Sequence, residues 1–144
     1  MINVIFVCYG NICRSPMAEF LFKDMTGGKG YKISSAATSD EELGSPVYYE
    51  TRKMLVALGI DCSRFRAHRL TRAECDAADY IIGMEDRNVT DIMRIAGERN
   101  YHKIKKLLDF SGGGNIADPW YTRDFDVAYA DIMRGLKGFL EATN

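Results

Sequence analysis

The hydrophobic pattern of this chain switches repeatedly between two periods. Residues 2–7, Ile-Asn-Val-Ile-Phe-Val, are mostly β-branched or aromatic and predict a strand buried on both faces, as in a parallel sheet. Over residues 17–25 the spacing becomes helical, with Phe20, Leu21 and Met25 on one side, and Gly27-Gly28 ends that helix near Thr26. Residues 31–37 form a second short strand. Strand, helix, strand implies a crossover that brings the two strands parallel in one sheet. Gly44-Ser45-Pro46 then breaks the chain, and residues 49–58 return to helical spacing before Gly59.

The pattern continues in the same alternation. Residues 61–72 are rich in arginine and read as a solvated loop, after which Thr71-Arg72-Ala73-Glu74 has the form of a capping box opening a short helix. Residues 80–83 predict a third buried strand closed by Met84-Glu85, and residues 88–96 a helix with Val89, Ile92, Met93 and Ala96 inward. Residues 104–108 predict a fourth strand, with Lys103, Lys105 and Lys106 as a solvated edge. A glycine-rich loop, 111–115, leads to a final helix over 122–141, with Val127, Ile132, Leu136, Phe139 and Leu140 packing on the sheet. The expected fold class is α/β, a doubly wound four-stranded parallel sheet with helices on both faces.

Composition narrows this reading without changing it. At 144 residues and 47% apolar content, one domain spanning 1–144 is expected. A net charge of −1 advertises no nucleic-acid or membrane partner. No apolar run approaches the ~18 residues of a membrane span, and no secretory leader is recognisable. The four cysteines, at 8, 13, 62 and 75, lack both zinc-ligand spacing and the density of a disulfide scaffold, which points to a reducing cytoplasm. Only His68 and His102 are present, so no metal site is expected.

Chemistry concentrates where the first strand meets the first helix, in Cys8-Tyr9-Gly10-Asn11-Ile12-Cys13-Arg14-Ser15-Pro16. Gly10 and Asn11 tolerate positive φ, so the loop can curl with successive N–H groups inward as an anion-binding nest at a helix N-terminus. Cys8 enters that loop in surroundings that favour the thiolate nucleophile. Arg14 leaves it, offering a planar fork to two oxygens of a tetrahedral anion. Ser15 can donate its hydroxyl to the sulfur. Asp118 in Asp118-Pro119-Trp120-Tyr121 is either a turn or capping aspartate or the acid that protonates a departing oxygen. Trp120 and Tyr121 can wall an aryl group.

Val-Cys-Tyr-Gly-Asn-Ile-Cys-Arg-Ser-Pro-Met-Ala-Glu resembles the signature of low-molecular-weight protein tyrosine phosphatases. Ser35-Ala36-Ala37-Thr38-Ser39, Asp79-Tyr80-Ile81-Ile82 and Asp118-Pro119-Trp120-Tyr121 follow in that family's order. The resemblance implies a flavodoxin-like strand order 2-1-3-4 and a cysteine-dependent phosphatase, without cofactor, acting on phosphotyrosine proteins or peptides and small aryl phosphates. Catalysis would fall to Cys8, Arg14 and Asp118. Phosphate, or sulfate or vanadate in its place, would bind Tyr9, Gly10, Asn11, Ile12, Cys13, Arg14 and Ser15. Ser35 and Ser15 would support a left-handed Asn11, and Cys13 would be a redox partner of Cys8.

The chain also departs from that pattern. Glu41 stands where many relatives carry an aromatic residue, making one cleft wall acidic with Trp120 and Tyr121 as the others. Arg64 and Tyr48 stand where histidine and aspartate are frequent. A monomer without nucleic-acid or membrane partners is expected. The alternatives are a protein arginine phosphatase, disfavoured by Ile12 in place of threonine, a thiol-dependent arsenate reductase, and a non-catalytic phosphate-binding module.

Overall fold

The first strand, β1 (Ile2–Cys8), runs inside a parallel sheet because both of its faces are apolar. Val4, Phe6 and Cys8 alternate onto one face, and Ile5 and Val7 onto the other. The computed structural model describes residues 1–144. In chain order the elements are α1 (Arg14–Thr26), β2 (Tyr31–Ala37), α2 (Tyr49–Ala57), α3 (Arg72–Ala77), β3 (Tyr80–Gly83) and α4 (Asp86–Ala96). A 3-10 segment (Glu98–Lys103), β4 (Ile104–Lys106), a second 3-10 segment (Leu107–Phe110), α5 (Pro119–Thr122) and α6 (Phe125–Thr143) follow.

All strand pairs are parallel and the spatial order is β2-β1-β3-β4, as the resemblance implies. α1 and α6 cover the face of Val4 and Phe6, where Phe139 of α6 packs against Phe6, Phe22, Tyr31, Tyr80 and Phe110. α3 and α4 cover the other face, with Cys75, Ile92 and Ala96 against Ile5, Val7 and Ile81. The chain leaves β1 towards β2 on one side and later reaches β3 on the other. That reversal opens a crevice beyond the carboxyl ends of β1 and β3, where ligands bind in open α/β sheets. No helix is long and apolar enough to cross a membrane.

Several expectations need correction. β4 stops at Lys106, because the Asp109 carboxylate accepts the Lys106 N–H (2.8 Å) and starts a 3-10 turn in place of further ladder. Only Lys105 is a solvated edge residue: Lys103 donates to the carbonyls of Cys75 and Asp76 (3.0 Å each), and Lys106 pairs with Asp86 (2.8 Å). The last helix is two helices, since Arg123 adopts φ +60 and Asp124 then caps α6 through the Val127 N–H. Val127 consequently faces solvent, 48% exposed. The arginine-rich segment is not simply a solvated loop: Cys62, Ala67 and Leu70 are buried, and Arg69 bridges to Ala37, the last residue of β2.

Candidate active site

Cys8 closes β1, and the chain then turns through Tyr9–Cys13 into α1. The backbone N–H groups of Tyr9 through Ser15 donate to no backbone carbonyl, which leaves a set of donors at the N-terminus of a 13-residue helix. Such a nest favours an anion. Asn11, rather than Gly10, supplies the left-handed residue, at φ +59. A non-glycine residue there costs about 1–3 kcal/mol unless its surroundings hold it. Asn11 is fully buried, and all of its side-chain contacts serve that purpose.

Those contacts have a direction. Glu19, as a carboxylate, can only accept, and it takes the Ser35 hydroxyl proton at 2.5 Å. Ser35 must then accept from Asn11 Nδ2 (3.0 Å). The His68 N–H donates to Asn11 Oδ1 (3.2 Å), so Nδ2 also faces Ser15, which it reaches at 2.8 Å. Ser15 Oγ is thereby an acceptor from Asn11, and its own proton is free for Cys8 Sγ at 3.0 Å. The network delivers a hydrogen bond to the Cys8 sulfur. Its outer end is anchored by Lys23, 2.6 Å from the other Glu19 oxygen.

Arg14 lies at the first position of α1 and is 2% exposed. Its Nη1 donates to Glu85 (2.5 Å) and to the Ile116 carbonyl (2.8 Å), while Nη2 lies 3.3 Å from Asp118 Oδ2. One edge of the guanidinium is therefore clamped and the other faces Asp118. Burial would lower its pKa, but the charges of Cys8, Asp118 and Glu85 outweigh that and raise it above its ordinary value. The arginine stays charged. Asp118 fills the capping role weighed for it and also faces Arg14. Its Oδ1 caps α5 by accepting the Trp120 N–H (3.0 Å), which aims Oδ2 at Arg14.

One cleft collects these groups, lined by Cys8, Tyr9, Gly10, Ile12, Cys13, Arg14, Glu41, Glu42, Asp118, Trp120 and Tyr121. Asn11, Ser15 and Ser35 lie behind its wall as support. Trp120 packs edge-on against Tyr48 (5.0 Å between centroids) and is 46% exposed, whereas Tyr121 is 79% exposed. The Tyr9 hydroxyl donates to Glu41 (2.9 Å), a bond that raises the Tyr9 pKa. Cys13 shares a hydrogen bond with Thr51 (3.2 Å), and burial pushes its thiol up to about 12, despite the lowering effect of that bond. Sequence reasoning missed Glu85, Glu42 and the part played by Glu19. Of these, only Glu19 left a signal, an i,i+4 spacing with Lys23; Glu85 was read merely as a strand end.

A family model described as "Low molecular weight phosphotyrosine protein phosphatase" matches residues 3–144. The chain is 37% identical to the low molecular weight protein-tyrosine-phosphatase YfkJ of Bacillus subtilis, covering 97% of this chain and 94% of that one. It is 35% identical to a low molecular weight phosphotyrosine protein phosphatase of Rattus norvegicus, covering 99% and 96%. Among solved structures, SP-PTP from Streptococcus pyogenes is similar with a TM-score of 0.92 at 36% identity, over 100% of this chain and 94% of that one.

Proposed function

The chain belongs to the low molecular weight phosphotyrosine protein phosphatase family, and on that premise we propose that it hydrolyses phosphotyrosine in proteins or peptides through a cysteinyl-phosphate intermediate. The observation that carries this reading is the convergence of Cys8, the unpaired loop amides, Arg14 and Asp118 on one cleft.

The thiolate of Cys8 attacks phosphorus in line, forming an S–P bond as the P–O bond to the aryl group breaks. Protonated Asp118 gives its proton to the departing phenolic oxygen. Water then attacks phosphorus, the Asp118 carboxylate takes its proton, and the S–P bond breaks to return the thiolate and inorganic phosphate. The Ser15 hydroxyl, 3.0 Å from Sγ, stabilises the thiolate as it leaves. Loop amides and the Asp118-facing edge of Arg14 hold the equatorial oxygens in both steps, electrostatic work familiar from other phosphoryl transfers. Trp120 and Tyr121 pack the substrate ring. Cys13, which lines the same cleft, captures Cys8 as a disulfide when peroxide has oxidised Cys8 to the sulfenic acid, with loss of water. All four cysteines are free thiols, which fits work in a reducing cytoplasm.

Turnover of para-nitrophenyl phosphate and of a phosphotyrosine peptide in EDTA tests this. Wild type should be active and Cys8→Ser inactive. Asp118→Asn should lose about 100-fold or more on the peptide, the range of a general acid, and less on para-nitrophenyl phosphate, whose leaving group needs less help. An inactive reduced wild type, or an active Cys8→Ser, would overturn the proposal.

A further inference from the structure

A cleft that receives a phosphate should not carry unpaired negative charge at its mouth, yet this one does. Glu41 and Glu42 both line it together with Cys8, Arg14 and Asp118. Each is held by a neutral donor: the Tyr9 hydroxyl for Glu41 and the Ser45 hydroxyl for Glu42, both at 2.9 Å. Neither forms an ion pair, whereas Asp40, next to them in sequence, pairs with Arg69 at 3.1 Å. Nor does Arg87 pair with either. Arg87 lies over the Tyr9 ring, 4.6 Å from its centroid, and faces the adjoining groove of Glu85, Asn88 and Asn115.

A phosphate monoester carries about −1.5 to −2 charges at neutral pH. Two fixed carboxylates beside its entry repel it, and that repulsion is relieved when the substrate brings positive charge to the same wall. On the phosphotyrosine reading above, we infer that Glu41 and Glu42 form a subsite for a lysine or arginine side chain flanking the phosphotyrosine, selecting basic and rejecting acidic neighbours. The aromatic pair, Trp120 and Tyr121, takes the ring, and the acidic pair takes the flank. Because Tyr9 and Ser45 already fix the two carboxylates, the subsite is organised before substrate arrives, so little ordering cost offsets the charge attraction. Like-charge juxtaposition supplies the rejection of acidic sequences.

The test compares kcat/KM on three matched phosphotyrosine peptides, flanked on both sides by lysine, glutamine or glutamate. Wild type, the double variant Glu41→Gln/Glu42→Gln and Asp40→Asn are measured at low and high salt. Asp40→Asn removes one negative charge from the same loop but from outside the cleft. Wild type should prefer the lysine peptide over the glutamate peptide by roughly fivefold or more, the scale of two exposed charge pairs. The ratio should shrink with salt, collapse towards one in the double variant and persist in Asp40→Asn.

Equal rates on all three peptides, or a preference that survives the double variant, would overturn the inference. So would faster turnover of a phosphoarginine peptide than of any phosphotyrosine peptide, since the acidic wall would then face the substrate's own guanidinium. Failure to hydrolyse even para-nitrophenyl phosphate would instead remove the phosphatase reading itself, and the subsite with it.

Discussion

Two cysteines five residues apart meet opposite fates because their surroundings differ. Cys8 receives the Ser15 proton at the end of a directed network and lines the cleft beneath the free loop amides. Cys13 is buried against Thr51 with its thiol pushed up to about 12. A thiol raised that far stays neutral at any pH well below 12, and alkylating reagents attack only the thiolate. Iodoacetamide at pH 7 should therefore label Cys8 ahead of Cys13, and ahead of Cys75, whose thiol burial raises to about 11. Inorganic phosphate should slow the Cys8 label. Peptide mass spectrometry reads both effects, and equal labelling of Cys8 and Cys13 would refute the distinction. At this scale the sequence was most legible where chemistry is local. Cys8, Arg14 and Ser15 lie in one loop and the helical turn that follows it, so the spacing alone brought them together. Glu85 reaches Arg14 from 71 residues away through the pairing of β1 with β3, so nothing in either segment announced it.

Elements were legible where periodicity alone decides them and less so where a side chain interrupts the backbone pattern. β2 and β3 have the expected bounds, and the box at Thr71 forms. β4 and the last helix deviate because Asp109 and Asp124 accept backbone N–H groups and start new turns. Tertiary contact also overrides propensity in α6, where Gly135 and Gly138 face the 3-10 segment Leu107–Phe110. A Cβ at Gly138 would lie 2.0 Å from the Phe110 carbonyl oxygen, and one at Gly135 2.5 Å from Leu107 Cγ. Helix propensity alone predicts that Gly138→Ala stabilises by about 1 kcal/mol. Overpacking costs about 1–3 kcal/mol, and here the obstacle is backbone that cannot rotate away. Gly138→Ala should accordingly lower the thermal midpoint, as thermal denaturation by circular dichroism would show. A raised midpoint would mean that the α6 packing is looser than described.

Across the whole molecule, the sheet order decides where chemistry can occur. With β1 between β2 and β3, Cys8 and the loop after it stand where the strand order reverses. The β2 end clamps the loop from one side: Thr38 N–H donates to the Cys8 carbonyl (3.0 Å) and Ser39 N–H to that of Tyr9 (3.1 Å). The segment after β3 supplies Glu85, and the chain beyond β4 brings Ile116 and Asp118 across the opening. Asp118 thus faces the loop from a separate support, in line with the proposed reaction, in which it first gives a proton and later takes one. In the proposed reaction phosphorus resides on Cys8 between those two events. The most direct measurement of that step is mass spectrometry of Asp118→Asn mixed with para-nitrophenyl phosphate and quenched into alkaline denaturant. The good leaving group allows the first step, while loss of the base slows the second. The account predicts that the peptide containing Cys8 gains one phosphoryl group, and that Cys8→Ser/Asp118→Asn gains none. Para-nitrophenol released by Asp118→Asn with no phosphoryl group on Cys8 at any time point, or a phosphoryl group on another residue, would contradict it.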